Sequence, residues 1–121
     1  MERIKKHHIS FKNALWGLKW VISTQNNFQI HLLISIFAIL LGLILKISSL
    51  EMLIIISAIF FGLVTEMINT SLEAITDLIT IEWRKEAKIA KDVSAGMMLV
   101  VSAGTLFIGI YIFLPKLLAL F

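Results

Sequence analysis

The chain has 121 residues, of which 59% are hydrophobic, with one proline, no cysteine, a mean hydropathy of +0.94 and a formal net charge of +3. Soluble domains average about 45–50% apolar, so the composition points to a membrane protein with one domain's worth of residues. Without cysteine there is no disulfide framework, thiolate nucleophile or cysteine-based metal site. The small positive charge, set beside apolar runs, suits an anionic membrane surface rather than nucleic acid.

Residues 1–27, MERIKKHHISFKNALWGLKWVISTQNN, open with charges and lack the compact apolar run and small-residue cleavage site of a signal peptide. Phe11, Ala14, Leu15, Leu18, Val21 and Ile22 recur at helical spacing, with Lys12 and Lys19 off the stripe and Trp16 and Trp20 along its edge. That pattern predicts an amphipathic helix lying in the headgroup plane. His7 and His8 are adjacent, and neighbours on a helix point about 100° apart, so they read as a surface pair rather than a metal site.

Three hydrophobic segments follow, and they predict membrane helices at 28–47, 50–80 and 93–115. A bilayer core takes about 20 apolar residues. The first and third meet that length alone; the second meets it only by running on into an acidic stretch. The short Lys46–Glu51 link makes the first two helices a tight antiparallel hairpin. Arg3, Lys5, Lys6, Lys12 and Lys19 precede the first span and Arg84, Lys85, Lys88 and Lys91 separate the second from the third, against only Lys46 and Lys116 on the other side. The positive-inside bias predicts a cytoplasmic N-terminus and an external C-terminus.

The second segment ends in VTEMINTSLEAITD, residues 64–77, where Glu66, Asn69, Glu73 and Asp77 are spaced +3, +4 and +4. Helical periodicity puts all four on one narrow face. A carboxylate at membrane depth costs about 2.5 kcal/mol or more, so such a stripe marks a functional site. The predicted topology carries it to the membrane boundary where the first helix begins, at Gln25 to His31, and where Lys91 and Asp92 precede the third. A chemistry joining an ionic substrate to a lipid alcohol fits that plane. Phosphate-loop, GxGxxG, HExxH and GxSxG motifs are all absent. The Ser94-Ala95-Gly96 and Ser102-Ala103-Gly104 clusters read as helix-packing surfaces.

Two of these stretches carry a resemblance. Residues 66–77 resemble the ExxNxxxExxxD signature of the prokaryotic diacylglycerol kinase family, which includes the undecaprenol kinases, and residues 90–96, AKDVSAG, are similar to its AKDxxAG signature. Glu82 and Trp83 stand at the place of a Glu-aromatic pair. Residues 11–18 and 25–31 are similar to the family's N-terminal helix and its approach to the first span. The resemblance implies an all-α integral membrane protein of the bacterial cytoplasmic membrane, a homotrimer of three-span subunits with an N-terminal interfacial helix. It implies MgATP-dependent phosphorylation of a lipid hydroxyl. Glu66 matches the catalytic base, with Asn69 beside it. Glu73 matches a metal-holding glutamate, and Asp77 a site-shaping residue. Glu82, Trp83, Arg84, Lys91 and Asp92 match nucleotide contacts, and Ala14, His31 and Ala95 fall at lipid-contacting positions. Gln25 departs from the pattern: it stands where relatives usually carry a metal-holding glutamate, and glutamine keeps a carbonyl ligand but loses the charge. Arg84 stands where histidine is common. The neighbourhood of His31 looks closer to the Gram-positive branch, which leans towards undecaprenol over diacylglycerol. A catalytically impaired homologue with a structural role and a small oligomeric transporter are the other readings. The charge-free third span argues against the transporter.

Overall fold

The computed structural model describes residues 2–121, with side chains from Ser10 onward; His7 and His8 therefore lie outside the described side chains. Among the described residues there are four α-helices and no strand: α1 (Glu2–Thr24), α2 (Asn26–Ile44), α3 (Ser49–Ile79) and α4 (Lys85–Leu118). Helices α2, α3 and α4 are each long and apolar enough to cross a membrane. The apolar run and the acidic stretch are one uninterrupted helix, α3, of 31 residues, which at 1.5 Å per residue is about 46 Å long, well beyond a hydrocarbon core of about 30 Å. Helix α4 starts at Lys85, ahead of the charge-free run from Val93. Hydropathy locates the hydrocarbon-facing part of a helix, whereas its backbone bonds continue through the charged turns before it.

The turn between α2 and α3 is built from local chemistry. Lys46 adopts φ 52°, the left-handed conformation that closes helix C-termini. Its N–H donates to the Leu43 carbonyl at 3.2 Å and that of Ile47 to the Gly42 carbonyl at 3.1 Å, the paired bonds of a Schellman motif. Ile47 then folds back over Gly42, where a Cβ would meet its Cδ1 at 2.9 Å. Helix α3 begins with a capping box: Ser48 Oγ accepts from the Glu51 N–H at 3.1 Å, and the Glu51 carboxylate accepts from the Ser48 N–H at 2.8 Å. Glu51 also pairs with Lys116 at 3.2 Å, joining the start of α3 to the end of α4.

Helix α3 is central, packing on both α4 and α2 and more extensively on α4. Ile55, Ile112 and Phe113 form the buried apolar centre near the hairpin turn, with Leu41, Ile59 and Ile108 against them. At the opposite end Phe28 and Val21 are buried where α1 meets α2. The outward stripe of α1 is exposed, with Phe11 and Trp16 each 67% accessible.

Candidate active site on the polar face of α3

Soluble helices bury their apolar face; the second half of α3 does the reverse. Thr65, Glu66, Asn69 and Thr76 are buried, while Ile68, Leu72 and Ile75 face outward. Hydrocarbon surroundings explain the inversion, because lipid accepts apolar side chains freely and leaves polar ones to be satisfied within the protein. Thr65, Thr70 and Thr76 donate to the carbonyls of Phe61, Glu66 and Leu72 along their own helix.

Glu66 is only 3% exposed. No hydrogen-bond donor to its carboxylate lies among the described residues, and its oxygens are not fully sealed from the surface. A nearly buried carboxylate without a donor of its own is a candidate proton acceptor. One turn earlier, Gly62 leaves room for the His31 ring, whose Nδ1 lies 3.7 Å from the position a Cβ would take. His31 thus sits against α3 at the level of the carboxylate, brought there by the antiparallel start of α2.

The stripe divides at this depth. Asn69 is buried beside Glu66, its Oδ1 accepting from Ser94 Oγ of α4 at 2.6 Å and its Nδ2 donating to Glu73 Oε1 at 3.4 Å. Glu73 and Asp77 are exposed. Helix α2 starts near the level of Glu66, and α4 supplies the side-chain partners of the turns beyond it among the described residues. There Lys91 Nζ donates to Asp77 Oδ1 at 2.6 Å, bringing the two signature stretches together. Lys88 is paired with Asp92 one turn along α4.

No hydrogen bond or ion pair joins the other expected site residues to this cluster among the described residues. Gln25 is the half-buried N-cap of α2 and donates its amide to Thr24 Oγ1 at 3.2 Å, a local bond. Glu82, Trp83 and Arg84 form the exposed link from α3 to α4, with Glu82 and Arg84 3.6 Å apart. That link borders an open pocket of about 480 Å³ lined by Thr76, Ile79, Thr80, Arg84 and Ala90. Ala14 and Ala95 are exposed. Ser94 is the residue the sequence reading missed as a polar partner. A serine one turn past Lys91, on a helix that must face the acidic stripe, was the available signal.

The donor set bears on a metal. Among the described residues no three His, Asp or Glu side chains converge on one point. Mg²⁺ in nucleotide sites takes only one or two protein carboxylates, with phosphate oxygens and water completing its shell. The accessible Glu73 carboxylate, two turns from Glu66, fits an ion that arrives with a nucleotide.

Comparison with known proteins agrees with this geometry. Residues 12–113 match the family model for prokaryotic diacylglycerol kinase. The chain is 36% identical over 108 residues to an undecaprenol kinase of Bacillus subtilis, covering 89% of this chain and 88% of that one. It is 30% identical over 113 residues to a diacylglycerol kinase of Synechocystis, covering 93% of this chain and 65% of that longer one. With its two signature stretches joined across α3 and α4, and a match spanning nearly its whole length, the chain belongs to the prokaryotic diacylglycerol kinase family.

Proposed function

We propose that the protein phosphorylates a lipid alcohol with MgATP at the cytoplasmic face of the bacterial inner membrane, with undecaprenol as the first substrate to test. The observation that carries the proposal is the Glu66 carboxylate, nearly buried, without a protein donor among the described residues and set on the polar face of a membrane helix. The relative matched over 88% of its length is named an undecaprenol kinase, which supports that choice of lipid.

In this reading the lipid hydroxyl approaches Glu66 from the membrane side, past His31, Ala14 and Ala95. Glu66 takes the hydroxyl proton as the oxygen attacks the γ-phosphorus; the bond to the β-γ bridging oxygen breaks and ADP leaves. Mg²⁺, when bound, draws charge from the phosphate oxygens. Glu73 holds its side of the nucleotide, with Gln25 of a neighbouring or the same subunit contributing a neutral oxygen. Lys91, held by Asp77, supplies positive charge to the phosphates, and Asp92, Glu82, Trp83 and Arg84 border the nucleotide. Phosphoryl transfer needs mainly positioning and electrostatic stabilisation, which such a set provides.

A homotrimer completes the proposal. One chain leaves Glu73 and Asp77 exposed beside outward-facing Leu72 and Ile75. Burying that face between copies removes charge from contact with lipid. The test is transfer of radiolabelled phosphate from ATP by purified protein, with undecaprenol and diacylglycerol offered separately. Labelled product from either lipid supports the reading, and the faster one names the substrate. No labelled lipid from a folded oligomer overturns it and favours an impaired homologue.

A further inference from the structure

We infer that Ser94 is a positioning residue for the acidic face of α3: it fixes the amide of Asn69 in the one orientation that supports Glu73. Hydroxyls within these helices otherwise bond locally, as Ser35, Ser57, Thr65, Thr70 and Thr76 do to the carbonyl four residues back. Ser94, 2% exposed, instead reaches from α4 to Asn69 Oδ1 at 2.6 Å. Hydrogen-bond logic sets the direction. An ionised Glu73 only accepts, so Asn69 must turn its NH₂ towards it; Oδ1 then faces α4 and needs a donor there. Ser94 is that donor. Its neighbour Asn69 is itself buried, so the amide has no water to replace the lost partner. The 3.4 Å bond from Asn69 to Glu73 is long, and a rotated amide would break it. Ser94 thus acts on the nucleotide's divalent ion through two other side chains, without touching it.

The inference rests on the kinase reading for the task of Glu73, and the test separates the two. Purified protein is titrated with Mn²⁺ and a non-hydrolysable ATP analogue, free Mn²⁺ being read by electron paramagnetic resonance and folding by thermal denaturation. Ser94→Ala is expected to weaken Mn²⁺–nucleotide binding by about 10–100-fold, the usual cost of removing a residue that orients a ligand. Asn69→Ala should weaken it comparably, and the double variant no further, because both act through one chain of bonds. Ser94→Thr, which keeps the hydroxyl, should bind as wild type. A purely structural role would reduce the folded fraction and leave the affinity of the folded remainder unchanged. Should Ser94→Ala fail to fold, Ser94→Cys carries the same test, since a thiol fills similar space with a weak donor. Wild type that binds no Mn²⁺–nucleotide overturns the kinase reading and this one with it. Wild type that binds, alongside Ser94→Ala or Ser94→Cys that binds equally, overturns the role of Ser94 alone.

Discussion

Replacing Glu66 by glutamine separates catalysis from folding. The side chain is 3% exposed and its carboxylate has no protein donor among the described residues. Glutamine matches it in shape, so no cavity opens, and it removes a charge from a poorly solvated place. The folded protein should therefore be at least as stable as wild type. Activity should move the other way. General-base catalysis contributes about 10²–10⁴-fold, or about 2.7–5.5 kcal/mol of barrier at 1.36 kcal/mol per tenfold. The assay is transfer of labelled phosphate to undecaprenol at saturating MgATP, with thermal denaturation measured on the same preparation. Loss of turnover with undiminished stability is the expected pair of results. Turnover within about threefold of wild type, far inside the range for a lost base, would refute the assignment.

Gln25→Glu is expected to lower the Mg²⁺ concentration needed for half-maximal activity, whereas Glu73→Gln nearly eliminates activity; superimposable Mg²⁺ titrations for wild type and Gln25→Glu would remove Gln25 from the metal's surroundings. Single cysteines at Ser10, Thr80 and Phe121 report topology in intact cells, where a membrane-impermeant thiol reagent should label only the Phe121 position; labelling at Thr80 from outside would overturn both the orientation and the site's access to cytoplasmic ATP. At the hairpin turn, Gly42→Leu forces side-chain atoms into space where a Cβ already meets Ile47 and Met52 at 2.9 Å, so it should cost about 1–3 kcal/mol by denaturation in detergent. Gly17→Ala, with nothing within 4 Å of its Cβ, should instead stabilise by about 0.5–1 kcal/mol through helix propensity.

Much of the fold was legible because hydrocarbon imposes a length that few other structures need. The runs of apolar residues at 28–47, 50–65 and 93–115 mark α2, α3 and α4, and the +3/+4 spacing from Glu66 to Asp77 requires α3 to continue past the last apolar turn. The early start of α4 at Lys85 was hidden because Lys85, Lys88, Lys91 and Asp92 lower the hydropathy without interrupting the helix. Interhelical pairs were hidden for a different reason. Asp77 with Lys91 and Glu51 with Lys116 depend on how two helices are rotated against each other, which periodicity within one helix does not specify.

That rotation also decides what the acidic stripe becomes. Periodicity treats Glu66, Asn69, Glu73 and Asp77 as equivalent, but α2 begins opposite Glu66 and divides them into a buried pair and an exposed pair. Of the buried pair, Asn69 is satisfied within the chain through Ser94, whereas the Glu66 carboxylate has no donor among the described residues. Among the described residues the exposed pair has Lys91 and the long bond from Asn69. In water this would be an ordinary solvated helix end. Beside outward-facing Leu72 and Ile75 it is a polar strip bordered by lipid-compatible surface, whose remaining oxygens call for partners of opposite charge. In the proposed homotrimer, a nucleotide-borne cation on one side and a second copy of the chain on the other would meet that demand together, and substrate binding and assembly would then draw on the same uncovered turns of α3.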